Sequence, residues 1–147
     1  MTKFLAAACA AGALLLAAPA AMAGDGCGSH AAEAATATPN EVTLAAVHTM
    51  VTDGAVTPVD ANGAETRAEF GTLPGAIMLD TDDVASVLPE DTDTDLVFYC
   101  SSQRCSAAPR AAEAAIEAGY TNVHVMRDGI RGWVDAGYET QAATTDS

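Results

Sequence analysis

Large rings are scarce in this 147-residue chain: aromatics make up 5% of it, with one Trp, three Tyr and three Phe. Half the residues are apolar, but alanine dominates them, so the core must be small-residue rich with few large anchors. Positive charge is scarcer still, 6 Lys and Arg against 20 Asp and Glu, a formal −14. Such a chain repels phosphate backbones and anionic lipid, which argues against nucleic-acid binding and peripheral membrane docking. Four cysteines are too few and too unevenly spaced for a disulfide-framed miniprotein. The sequence also offers no Ser/His/Asp arrangement, glycine-rich phosphate loop or paired-carboxylate constellation, and it implies no organic cofactor. His48 and His124 are isolated and read as structural.

The N-terminus is an address. Lys3 supplies one positive charge, a charge-free alanine- and leucine-rich stretch runs from Phe4 to Ala18, Pro19 breaks it, and Ala21-Met22-Ala23 has the small-x-small form of a cleavage box. Residues 1–23 are therefore expected to be a secretory signal peptide. An uncleaved anchor is the competing reading, weakened because alanine contributes little to membrane insertion. Cleavage removes Lys3 and Cys9, leaving five basic residues against 20 acidic ones, and Cys27, Cys100 and Cys105 as the remaining cysteines. The expected location is periplasmic or secreted, with no membrane association once the signal is cleaved.

Residues 24–40 lack hydrophobic periodicity and read as a flexible arm. The arm holds Cys27 and His30, whose Cys-x-x-His spacing makes at best a weak two-ligand stub, and no metal site is assigned. From residue 41 to 141 the punctuation is regular, and 142–147 form a tail. Thr43 can cap a helix with an apolar face of Leu44, Val47, Met50 and Val51. Val56–Asp60 reads as a strand in which Pro58 must have no partner for its missing N–H. Residues 61–75 read as a polar connection, Ile77–Leu79 as a short strand, and Asp82–Leu88 as a helix capped by Asp80 or Thr81. Seven acids between Asp80 and Asp95 read as a solvated face, since their spacing fails the calcium-loop pattern. Leu96–Tyr99 is a continuous apolar run, as in a strand covered on both faces. A helix over 107–118 with Pro109 in its first turn and Gly119 after its end, a strand over Val123–Met126 and a helix over 130–136 carrying Trp133 complete the pattern. Such alternation argues for one α/β domain with a parallel sheet.

The chemistry-bearing segment is Cys100-Ser101-Ser102-Gln103-Arg104-Cys105-Ser106, which joins the buried strand to the alanine helix. Ligand sites in open parallel sheets form beyond the carboxyl ends of the strands. A loop wrapping into a helix start can aim several amide N–H groups at one point, lowering a thiol's pKa and holding an anion beside it. A nucleophilic Cys100 thiolate acting on an anionic substrate is expected.

Residues 95–138 resemble the second half of a rhodanese-type sulfurtransferase domain: buried strand, cysteine-started loop, helix leaving through Ala118-Gly119-Tyr120, strand, then Asp128-Gly129-Ile130-Arg131-Gly132-Trp133, where the family commonly has Gly-Gly-Ile-x-Gly-Trp. Upstream, Val59-Asp60 resembles the family's Asp-Val-Arg segment and Leu73-Pro74-Gly75-Ala76 its Ile-Pro-Gly-Ala segment. The resemblance implies a rhodanese-like three-layer fold, a central mostly parallel sheet with helices on both faces. It also implies an enzyme in which Cys100 takes sulfane sulfur from thiosulfate or a similar small anionic donor as a persulfide and passes it to a thiol or cyanide. The backbone N–H groups of Ser101, Ser102, Gln103, Arg104, Cys105 and Ser106 would then form the anion-binding loop.

The departures are specific. Many family loops read Cys-x-x-Gly-x-Arg-Ser, whereas here Gln103 stands for the glycine and Cys105 for the arginine; Asn62 stands for the arginine of Asp-Val-Arg. The loop is thus Cys-x4-Cys, similar to a subgroup of secreted, single-domain rhodanese-like proteins. Arg104 and Arg127 are the candidate substitutes for donor recognition, with an exposed Arg127–Asp128 ion pair as the competing reading. Cys105 remains open as redox partner of Cys100, packing residue or metal ligand. Two other functions stay in view: thiol–disulfide exchange through Cys100 and Cys105, with a partner protein, and a catalytically silent binding module of the same fold.

Overall fold

The computed structural model describes residues 38–143. The expected signal peptide, Cys9, Cys27, His30, nearly all of the arm and the last four residues of the tail lie outside the described residues. Five strands, β1 (Asn40–Glu41), β2 (Thr57–Asp60), β3 (Ile77–Met78), β4 (Leu96–Tyr99) and β5 (Val123–Met126), alternate with helices α1 (Leu44–Thr52), α2 (Ala64–Phe70), α3 (Ala107–Glu117) and α4 (Gly129–Asp135). The strands form one sheet in the order β1-β5-β4-β2-β3, and every pairing within it is parallel.

The alternation of side chains along β4 explains the three layers. Leu96, Phe98 and Cys100 point to one face, where they meet Val59, Val123, Val125 and the alanines of α3. Val97 and Tyr99 point to the other, where they meet Val47 of α1, Leu73, Met126, and Ile130 and Trp133 of α4. Ala108, Ala111, Ala112 and Ala115 are all buried at helical spacing, a methyl-only stripe that lets α3 lie close on the sheet. Trp133 is the largest fully buried side chain and donates its Nε1–H to the Glu139 carbonyl at 2.9 Å.

Local expectations hold at most elements. Thr43 caps α1, its Oγ1 accepting from the Ala46 amide at 3.3 Å. Pro58 pairs across to Val97, yet the Thr57 and Ala61 amides are the ones turned toward β4. Its own nitrogen faces the β3 side, where pairing reaches only Val59 and Asp60, so no ladder bond is lost.

Four features differ. Asn40, placed at the end of the arm, instead begins β1, which pairs with His124 and Val125 on β5. Residues 61–75 contain α2, hidden from a search for apolar periodicity because its one buried side chain is Arg67. The helix expected over Asp82–Leu88 is a single 3₁₀ turn, Val84–Ser86. Pro89 disfavours helix at the residue before it, and only Val84 and Leu88 supply buried anchors. The chain end also returns: Thr72 and Gln141 exchange two backbone hydrogen bonds of 2.8 Å, an antiparallel bridge beside Gly71. Among the described residues, no helix is long and apolar enough to cross a membrane.

Candidate active site

Cys100 follows β4 directly, on the α3 face and 3% exposed. The loop behind it is folded back by a turn in which the Cys105 amide donates to the Ser102 carbonyl at 3.0 Å. That turn packs Cys105, half-buried, against the same apolar cluster that holds Cys100. The Cys100 thiol donates to the Cys105 carbonyl, 3.5 Å away, with the Ser102 carbonyl at 3.9 Å. Both cysteines are free thiols.

Burial dominates the titration of Cys100 and pushes its pKa up to about 11, with the neighbouring Cys105 thiol acting in the same direction. Amides of Ala108 and Ser102 pull the other way and do not prevail. This corrects the expectation of a lowered Cys100 thiol. The amides do not all converge on its sulfur: that of Cys105 is committed to Ser102, and of the two that reach it, Ala108 lies beyond the 101–106 stretch. Burial also acts to raise Cys105, but hydrogen bonds from the Cys100 thiol, the amides of Ala107 and Ser101 and the Ser101 hydroxyl outweigh it and hold its thiol below the ordinary thiol range. The two sulfurs thus behave as one unit, with the proton held by Cys100 and charge more easily carried by Cys105.

The loop is anchored from α4. Ile130 and Arg131 donate their amides to the Cys100 and Ser101 carbonyls at 2.8 and 3.2 Å. Gly129 makes this approach possible: it has φ +68°, and a Cβ there would lie 2.6 Å from the Cys100 oxygen and the Ser102 nitrogen. The only sign of this role in the sequence is the Asp128-Gly129 dipeptide, a turn signal at the end of a strand.

Arg127, expected at the substrate with an Arg127–Asp128 ion pair as the competing reading, does not pair with Asp128. Its guanidinium donates to the Gln103 carbonyl at 3.1 Å and lies 3.8 Å from Glu41. Asp128 instead accepts from the Gln103 side-chain amide at 3.0 Å. The two positions that depart from the family's glycines, Gln103 and Asp128, therefore touch each other and brace the loop tip. Ser101 and Ser102 are half-buried beside Cys100, while Gln103, Arg104 and Ser106 are exposed. Arg104 makes no ion pair with any of the described residues.

A buried polar cluster that sequence reasoning missed lies across the sheet from the thiols. The Asp60 carboxylate, fully buried, accepts from the Tyr99 hydroxyl and the Asn62 amide, each at 2.7 Å. Arg67 faces it at 3.5 Å, donates to the Asp60 and Leu79 carbonyls and pairs with Asp80. Tyr99 also accepts from the Leu73 amide at 3.0 Å; burial first, then the Asp60 charge, holds its hydroxyl protonated far above the usual phenol range. A groove of about 900 Å³ beside this cluster is lined by Arg67, Phe70, Met78, Asp80, Thr140 and Gln141, away from the cysteine loop. Among the described residues, no three His, Cys, Asp or Glu side chains are grouped so as to hold a metal ion.

Comparison with known proteins places this arrangement. A search of curated proteins finds no match. Solved structures with the same fold include a protein of unknown function, described as a possible tyrosine phosphatase, from Rhodopseudomonas palustris CGA009 (22% identity, TM-score 0.61, 70% of this chain and 85% of that one). The human single-domain sulfurtransferase TSTD1 also aligns (22% identity, TM-score 0.53, 66% and 96%). So does the Saccharomyces cerevisiae single-domain sulfurtransferase RDL2 (22% identity, TM-score 0.55, 67% and 91%). The rhodanese-like domain model matches residues 43–136, which take in the cysteine loop, its anchor on α4 and the sheet between them. The chain belongs to the rhodanese-like domain family.

Proposed function

We propose that the protein is a sulfurtransferase in which Cys100 carries sulfane sulfur from thiosulfate or a similar anionic donor to a thiol or cyanide. The observation that carries this reading is the position of Cys100, at the carboxyl end of the central strand β4, in a loop anchored by the N-terminal amides of α4. Single-domain sulfurtransferases of the same fold, and membership of the family, support it.

Cys100 is protonated at neutral pH, so attack requires a place for its proton. Cys105, the more readily ionised of the two, first gives its proton to solvent, and its thiolate then takes the proton of Cys100. Cys100 sulfur then bonds to the outer sulfur of thiosulfate, the sulfur–sulfur bond of the donor breaks, and sulfite departs with the bonding pair. Amides of Ser102 and Ala108 stabilise the negative sulfur during the exchange. Donor recognition falls to Arg104, exposed on the loop itself, and to half-buried Arg127, whose guanidinium holds the Gln103 carbonyl, in an otherwise acidic molecule. We assign the chemistry to the periplasm or the extracellular space, on the signal-like pattern of residues 1–23.

The decisive measurement is sulfite release on mixing the reduced protein with thiosulfate. The wild type is expected to release one sulfite per chain and Cys100→Ser none; equal release by both would remove Cys100 from the reaction. A second reading, thiol–disulfide exchange, is favoured by the contact between the two thiols. It requires dithiol oxidation by the Cys100–Cys105 disulfide with no sulfite released from thiosulfate.

A further inference from the structure

We propose that Cys105 resolves the sulfur carried by Cys100, closing a Cys100–Cys105 disulfide and expelling the sulfur as hydrosulfide, so that the protein reduces sulfane sulfur to sulfide at the expense of an external dithiol. This rests on the reading of Cys100 as the sulfur carrier and adds to it a second thiol, a product and a class of reductant.

The geometry carries the argument. The turn closed by the Cys105 amide on the Ser102 carbonyl brings the far end of the loop back over Cys100, whose thiol reaches the Cys105 carbonyl at 3.5 Å. The Cys105 side chain packs on the apolar cluster that contains Cys100, and both are free thiols. A sulfur placed on Cys100 is therefore met first from inside the protein. Cys100 itself is 3% exposed, which hinders a bulky external thiol, whereas half-buried Cys105 is reachable from outside. The lowered pKa of Cys105 is consistent with its serving as attacking thiolate.

The step balances. The Cys105 thiolate attacks the inner sulfur of the protonated Cys100 persulfide; a Cys100–Cys105 bond forms, the bond to the outer sulfur breaks, and hydrosulfide leaves with the electron pair and the proton. The outer sulfur is reduced and the two cysteines are oxidised. A reduced dithiol then exchanges with the disulfide through half-buried Cys105, becoming a disulfide itself and returning both protein thiols.

The test uses the full chain, reduced, freed of reductant and mixed with thiosulfate without oxygen or any added thiol, with sulfite, sulfide and intact mass read together. The wild type should release one sulfide for each sulfite and end two hydrogens lighter, a change absent without donor and reversed by dithiothreitol. Cys105→Ser should release sulfite more slowly, yield no sulfide, and retain the mass of one added sulfur. That retained sulfur also shows that the variant is folded and competent. A wild type that keeps the added sulfur and frees no sulfide overturns the inference while leaving Cys100 as carrier, as does a Cys105→Ser protein that frees sulfide as fast as the wild type. Absence of sulfite from the wild type, with no sulfur gained from a polysulfide donor either, overturns both.

Discussion

Two sulfurs in one low-polarity niche set the acidity of the site. The pair should titrate in two steps, the first below the ordinary thiol range and the second at about 11. Since sulfur uptake needs one proton removed from the pair, initial sulfite release should rise with pH through the first step. In Cys105→Ala the partner that raises Cys100 is gone but burial remains. Its single step should then fall between those two values, and the rate profile should move to higher pH than in the wild type. Ultraviolet thiolate absorbance and initial rates against pH check this; an unmoved profile would show that Cys105 takes no part in ionising Cys100. Gly129 is the second decisive residue. Alanine there must hold φ near +68° and press its methyl into the Cys100 carbonyl and Ser102 amide. Gly129→Ala should cost about 1–3 kcal/mol from backbone strain alone. Thermal unfolding should register that loss, and sulfite release should fall with it because the loop is displaced.

Elements were readable in the sequence where their buried faces are apolar. β4 and β5 have the expected bounds, α3 runs to within a residue of them, and Thr43 caps α1, because buried apolar residues and cap or turn residues mark them. α2 escaped because its inward residue is Arg67, which no hydrophobic pattern can reveal, and β1 because two exposed residues carry no periodicity. In the loop, the position of Cys100 was legible from its place after the apolar strand. The direction of its acidity was not, because that depends on carbonyls and a second sulfur brought in by folding. The helix that hid from the sequence is tied in by Arg67, which joins α2 to β2 and to the end of β3 through Asp60, Leu79 and Asp80. Arg67→Met leaves the fully buried Asp60 carboxylate without its cation and should cost about 3–5 kcal/mol, read from denaturant midpoints. A loss below about 1 kcal/mol would show the pair to be no more than an exposed salt bridge.

Across the whole molecule, a formal −14 opposes compaction, while the pairs that matter to the core, such as Arg67–Asp60, are buried. Salt screens long-range repulsion far more than short buried contacts. Adding a few tenths molar of sodium chloride should therefore raise the melting temperature; a fall would mean that exposed ion pairs outweigh the repulsion. The parallel sheet also imposes an order of assembly. The carbonyls of Cys100 and Ser101 are held by amides of Ile130 and Arg131, which follow in the chain only after α3 and β5. During synthesis on the ribosome, then, the thiols emerge well before the clamp that shapes their loop. Until α4 arrives they are an unguarded dithiol, open to oxidation or to capture by other nascent cysteines. The same dependence makes α4 a checkpoint: a chain truncated before residue 129 retains both sulfurs but not the frame that gives them their chemistry.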